Sequence, residues 1–169
     1  MSAGRGCTLT GNTIYNNDDA GILADSRCLV AGNTLSHNNQ SNVAAQAGIC
    51  VGNSCLIKAN TANYKNRNNI YVSGSDNCIE ENLVTNSTNG IKVSGTGNII
   101  IKNKARANTT NYDFAESNSY GPVVNVAGVG DISGRVRPLS TKFKRPGLQA
   151  VWLILMIWEG SVTSGCKPA

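Results

Sequence analysis

The feature that most constrains the fold is a column of asparagines. Asn12, Asn33, Asn60, Asn82 and Asn103 recur at separations of 21, 27, 22 and 21 residues. Each sits inside a version of one run, CLVAGNTLSHNN from Cys28 to Asn39. The other versions are CTLTGNTIYNN from Cys7, CLIKANTANYKN from Cys55, NCIEENLVTN from Asn77 and NIIIKNKARAN from Asn98. Five positions before each Asn stand Cys7, Cys28, Cys55, Asn77 and Asn98; three before stand Leu9, Val30, Ile57, Ile79 and Ile100; two after stand Ile14, Leu35, Ala62, Val84 and Ala105. A repeat of about 20 to 50 residues means stacked units that bury their apolar sides only against their neighbours.

A second signature precedes the rungs: GILAD from Gly21, GICVG from Gly48, NIYVS from Asn69, GIKVS from Gly90 and NYDFA from Asn111. Within these pieces the second and fourth residues alternate with the third, as in a strand. Helical repeats need about 10 or more residues of 3.6-period pattern per unit, whereas the apolar runs here are short and end in Asn, Gly, Ser or Asp. The L-x-x-L-x-L-x-x-N spacing of leucine-rich repeats is missing. The expected fold is all-β, a parallel β-helix whose short strands pair with the coils above and below at about 4.8 Å. Asn suits its corners because the amide bonds nearby backbone and tolerates left-handed conformations, and stacked amides bond one another. An aromatic content of 5% agrees with a narrow lumen.

The pattern G-I-x-V/A followed by C-x-V/I-x-x-N-T-x-x-x-N-N resembles the right-handed parallel β-helix repeat proteins of the pectin-lyase-like superfamily, over residues 4–134. The resemblance implies a right-handed solenoid of about five to six coils of roughly 21 residues, in a protein that is extracellular or at the cell surface. No basic-plus-apolar signal peptide precedes the first rung. The superfamily holds lyases, hydrolases, esterases, phage tailspikes and repeat proteins without a known reaction, so the fold does not carry an activity with it. The expected function is a non-catalytic scaffold module with weak carbohydrate binding; the alternative is a fragment of a polysaccharide lyase or glycoside hydrolase whose catalytic coils lie upstream. Opening directly on a rung, the stack is expected to present an uncapped edge that invites coil-to-coil self-association.

Domain organisation follows composition. Residues 1–134 form the repeat domain, with 111–134 as a C-terminal capping coil, where Tyr112 and Phe114 replace the aliphatic residues of earlier strands. The extra residues between Asn33 and Gly48 must leave the coil as a loop, a candidate lip for a groove. Residues 135–169 contain no Asn, both Trp and three of the four Pro, and read as a tail of uncertain structure, frameshifted or disordered. The body carries nine Lys/Arg against nine Asp/Glu; the tail carries six against Glu159, which accounts for the net charge of +5. Basicity confined to the tail, without a recognition motif, gives no nucleic-acid partner. The apolar run from Ala150 to Trp158 is shorter than the ~20 residues a membrane span needs, although with Lys142 to Arg145 before it a surface association is conceivable.

Candidate chemistry is sparse. Cys7, Cys28 and Cys55 share an inward column that continues as Asn77 and Asn98, so they read as stacked free thiols. There is no C-x-x-C, and the single His37 sits in a turn without a second imidazole, so no metal site and no cofactor are expected. Cys50 is expected to point outward, and Cys166 falls in the tail. The outward column of the first strand reads Leu23, Cys50, Tyr71, Lys92 and Asp113. Tyr71, Lys92 and Asp113 are the candidate glycan-binding residues: Tyr71 to stack on a sugar ring, the other two to bond hydroxyls or each other. Glycoside hydrolysis needs two carboxylates about 5 to 9.5 Å apart. Asp25 is the only acidic residue at its strand position, and adjacent Glu80 and Glu81 are expected on opposite faces, so no catalytic residue is assigned. Thr13, Thr34 and Thr61 align, but the row then becomes Leu83 and Lys104, a weak plane for ice binding.

Overall fold

The computed structural model describes residues 1–41, 47–63 and 67–121, together with the strands at 124–125, 132–133 and 137–138. Six successive rungs of three strands make about five turns of a parallel β-solenoid. The first rung comprises β1 (Ser2–Ala3), β2 (Thr8–Thr10) and β3 (Thr13–Tyr15); the second β4 (Ile22–Ala24), β5 (Leu29–Ala31) and β6 (Thr34–Ser36); the third β7 (Ala47–Val51), β8 (Leu56–Lys58) and β9 (Thr61–Asn63). The fourth comprises β10 (Asn68–Val72), β11 (Cys78–Glu80) and β12 (Leu83–Thr85); the fifth β13 (Asn89–Val93), β14 (Ile99–Ile101) and β15 (Lys104–Arg106); the sixth β16 (Thr110–Phe114), β17 (Ser119–Tyr120) and β18 (Val124–Asn125). Two further strands, β19 (Ile132–Ser133) and β20 (Arg137–Pro138), extend the stack.

Every first strand joins one sheet, every second strand another and every third strand a third, in the orders β1-β4-β7-β10-β13-β16-β19, β2-β5-β8-β11-β14-β17-β20 and β3-β6-β9-β12-β15-β18. The register is the one the Asn column dictates. Ile14 pairs with Leu35, Leu35 with Ala62, Val84 with Ala62 and Val84 with Ala105. Inward aliphatic stacks fill the lumen, with Ile22, Val30, Ile49, Ile57, Ile70, Ile79, Ile91 and Ile100 fully buried. The expected change to aromatics at the sixth rung is real: Tyr112 and Phe114 are buried with ring centroids 5.7 Å apart, and Tyr120 packs on Phe114 at 6.2 Å. The Tyr112 hydroxyl donates to the Asn103 carbonyl at 2.9 Å, so burial of the ring leaves its polar tip bonded.

The corners explain the Asn columns. Asn12 donates both its backbone N–H and its Nδ2 to Asn33 Oδ1, each at 2.9 Å, and the pattern repeats from Asn33 to Asn60, Asn60 to Asn82 and Asn82 to Asn103. The second Nδ2 hydrogen goes to a strand carbonyl of the rung before, as from Asn60 to Val30 and from Asn82 to Ile57. One residue ahead of each column member the backbone turns left-handed, at Gly11, Gly32, Ala59, Glu81 and Lys102, with φ between 52° and 67°. Thirteen non-glycine residues take this conformation among the described residues, so the turns are fixed by the ladder bonds rather than by glycine alone.

Beyond Gly134, β20 pairs with β17 through Ser119 with Arg137 and Tyr120 with Pro138. Residues 42–46, part of the expected lip, and residues 139–169, including the apolar run and Cys166, lie outside the described residues. Among the described residues there is no helix long and apolar enough to cross a membrane.

Candidate carbohydrate-binding face

The outward column of the first sheet is assembled as its alternation requires. Leu23 pairs with Cys50, Cys50 with Tyr71, Tyr71 with Lys92, and Lys92 with Asp113. The three candidate residues therefore stand on consecutive strands, but they do not form one site. Lys92 Nζ reaches Asp113 Oδ2 at 2.7 Å, so these two charges satisfy each other, while Tyr71 leans the other way onto a small cluster of Ala20, Ala47 and Cys50.

Cys50 points outward as expected, but it is not exposed. Its side chain leaves the outer face of the sheet, but Tyr71 and the two alanines cover it and it is only 4% exposed. Burial pushes its thiol from 9.0 up to about 12, because a thiolate there would be desolvated.

On the side of Tyr71 away from Lys92 the face is notched. The depression has a volume of about 440 Å³. It runs across four rungs, lined by Ser2 and Ala3 of the first, Leu23 and Asp25 of the second, Cys50 and Gly52 of the third and Tyr71 and Ser73 of the fourth. Gly52 is needed for close approach: a Cβ there would lie 2.5 Å from the Asp25 carbonyl oxygen. Leu23 is 51% exposed, unusual for a large apolar side chain. Asp25 accepts from Arg5 Nε at 3.2 Å through Oδ2 and from Ser26 Oγ at 3.1 Å through Oδ1.

The sequence places Leu23 and Tyr71 in one outward column but does not join Asp25 to them. The signal was present in the aligned pieces GILAD, GICVG and NIYVS: two pairs of larger outward residues flank a pair of small ones.

The adjacent carboxylates on the second sheet also differ from expectation. Glu80 ends β11, and Glu81 occupies the left-handed corner with φ 57°, so the chain turns between them. Instead of opposite faces, both reach Lys58, at 3.0 Å from Glu80 and 3.6 Å from Glu81, while Lys102 stands 3.9 Å from Glu81. Glu80 is the main cause of the raised affinity of Lys58 for its proton. The Thr row is aligned as expected on the third sheet, with Thr13 beside Thr34 and Thr34 beside Thr61, before Leu83 and Lys104 end it.

Among the described residues no three His, Cys, Asp or Glu side chains come together as metal ligands would. The five described cysteines are free thiols. Fold and face together define the class, a parallel β-solenoid with a notched outer sheet. Neither protein-family models, curated proteins nor solved structures give a match to this chain.

Proposed function

We propose that this chain is a non-catalytic β-solenoid scaffold module of a secreted or surface protein, with weak carbohydrate binding on the Tyr71 face. The observation that carries this reading is the notch itself, a largely apolar depression whose lining includes an aromatic residue, Tyr71, and a single carboxylate, Asp25. Sugars present C–H faces to apolar and aromatic groups and hydroxyls to carboxylates, and a few placed polar groups in an apolar depression are the usual make-up of a small-molecule site. Catalysis has less support. Asp25, which follows β4, and Asp113 of β16 stand four strand steps apart in the sheet, on the order of 19 Å at ~4.8 Å per strand, well beyond the ~5 to 9.5 Å of a hydrolytic pair.

The finer fold assignment belongs to the same reading. We take the solenoid to be right-handed, as parallel crossovers within one sheet overwhelmingly are, and to belong with the pectin-lyase-like superfamily on its repeat pattern.

Calorimetric titration of the full chain against a glycan panel tests the function, with Tyr71→Ala as the control. Saturable binding that the variant loses supports a site on this face. A folded, β-rich protein that takes up no glycan leaves only the scaffold.

A further inference from the structure

We infer that Asn86 is the position at which this chain accepts a covalent, N-linked glycan. The inference rests on the secretion named in the reading above and is independent of any sugar bound at the notch.

The motif N-x-S/T, with x other than Pro, is the acceptor pattern for such a sugar, and the chain contains it at Asn39, Asn86 and Asn108. Residue type does not rank the three. The solenoid does, because two of them are turned into the stack: Asn39 is 0% exposed and Asn108 1%. Asn108 also uses its amide completely. Its Oδ1 accepts from the Ser87 N–H at 3.0 Å and from Asn69 Nδ2 at 3.3 Å, while its Nδ2 donates to the Val84 carbonyl at 3.2 Å and to Asn111 Oδ1 at 2.9 Å. It has no hydrogen left to exchange for a sugar.

Asn86 differs on each count. It lies between β12 and β13 at a left-handed corner, with φ 56°, and it is exposed. Among the described residues its Nδ2 donates once, to Thr85 Oγ1 at 3.2 Å, so one amide hydrogen can be replaced while the other keeps that bond. The corner is fixed without this side chain. The Ser87 N–H is held by Asn108, and the carbonyls of Ser87 and Thr88 accept from the N–H groups of Thr109 and Thr110 at 2.9 and 2.7 Å. A bulky group on Asn86 therefore displaces no ladder bond. Beside it lies a depression of about 300 Å³ lined by Ser87, Thr88, Ala107 and Thr109, which gives the first sugar ring a seat with the exposed Thr88 and Thr109 at its edge.

The transfer balances without a group from the notch. Nδ2 of Asn86 attacks the anomeric carbon of an oligosaccharide carried on a polyprenyl diphosphate; the new nitrogen–carbon bond forms as the carbon–oxygen bond to the diphosphate breaks. The polyprenyl diphosphate leaves, and Nδ2 gives up one proton. An N-linked sugar is bulky and belongs on a surface. On Asn39 or Asn108 it would hold the coils apart; on Asn86 it leaves them closed.

The test is expression of the full chain in insect cells behind a supplied signal peptide. Release of the sugar by peptide-N-glycosidase in heavy-oxygen water marks each glycosylated Asn as a labelled Asp, which mass spectrometry locates. The expected result is a label at Asn86 and none at Asn39 or Asn108 in the secreted, β-rich chain. The label is lost in Asn86→Gln and in Thr88→Ala and kept in Thr88→Ser. A label at Asn39 or Asn108 in the folded chain, or none at Asn86 in either the secreted or the cell-retained chain, overturns the inference. Because the supplied signal imposes entry to the pathway, that failure is distinct from failure of the secretion reading. The latter falls if the natural chain is found only inside the cells that make it, and the label at Asn86 in the imposed experiment then still upholds the acceptor site.

Discussion

The backbone N–H of Cys55 donates to Asn77 Oδ1 at 2.7 Å, and this bond joins two chemically different halves of one column. On one side of it, Cys7 and Cys28 donate their N–H groups to the sulfurs of Cys28 and Cys55 at 3.4 Å; on the other, Asn77 and Asn98 donate theirs to Asn98 and Asn118 Oδ1 at 2.9 Å. The Cys55 thiol faces the carbonyls of Asp25 and Asn53, at 3.6 and 3.4 Å, while the Asn77 amide faces those of Gly52 and Ser75, at 2.9 and 3.2 Å. The thiol thus fills the amide's place with longer bonds of a weaker donor and acceptor.

That equivalence predicts an asymmetric pair of substitutions. Asn77→Ala leaves the Cys55 N–H and the partly buried Gly52 carbonyl without their amide partner and is expected to destabilise the solenoid by about 2 to 4 kcal/mol. Cys55→Asn continues the ladder and is expected to be neutral or to stabilise by up to about 1 kcal/mol. Urea unfolding followed by circular dichroism checks both. Equal losses in the two variants would show that the column wants each residue's shape rather than its bonds.

Ala59 gives a second prediction. It is exposed and has φ 52°, in the column where Gly11 and Gly32 stand at 67° and 63°. A left-handed residue with a Cβ costs roughly 1 to 2 kcal/mol, whereas Gly adds about 0.5 to 1 kcal/mol of backbone entropy loss. Ala59→Gly should therefore stabilise by about 0.5 to 1 kcal/mol, read as a raised urea midpoint at constant slope. A lowered midpoint would mean that the ladder bonds have already removed the strain.

The strands and the Asn column were legible because alternation and period are carried by residue type, and a solenoid repeats both until they stand out. The corner conformation was not, because Gly32, Ala59, Glu81 and Lys102 share a backbone angle and nothing in side-chain chemistry. For that reason Glu80 and Glu81 read as facing opposite ways when the turn between them brings both to Lys58. The outward column was read in the right order, but order does not reveal lean. Whether Tyr71 covers Cys50 or stands beside Lys92 depends on which neighbour is small, a comparison across three rungs rather than along one.

Ser87 tests the third corner. Its Oγ is buried and has no hydrogen-bond partner among the described residues, although its N–H donates to Asn108 Oδ1 at 3.0 Å. An unpartnered buried hydroxyl costs on the order of 1 to 3 kcal/mol, so Ser87→Ala should leave stability unchanged or raise it by about 1 kcal/mol. Thermal unfolding decides, and a clear drop in Tm would reveal a partner for the hydroxyl.

Cys50 links the face to alkaline pH. Its thiol is held up at about 12 by burial, against 9.0 for an ordinary thiol, so the folded chain keeps the proton more tightly than the unfolded one. The stability this contributes is complete below pH 9.0 and is lost as the pH rises from there towards about 12. Replacing the thiol removes that proton linkage, so Cys50→Ala should show a flatter fall in stability over this window than the parent, whatever it loses at neutral pH through its smaller volume. The cover matters as much as the group. Tyr71 packs over Cys50, so Tyr71→Ala should return the thiol towards its ordinary range and speed its alkylation at pH 8 by tenfold or more, since only the thiolate reacts and each unit of pKa is about a tenfold change in its population. Mass spectrometry that resolves Cys50 from the partly exposed Cys7 and Cys78 reads the rate site by site. Unchanged alkylation of Cys50 in the variant would mean that Ala20 and Ala47 bury it without the ring, and would detach the thiol from the face on which a sugar is proposed to bind.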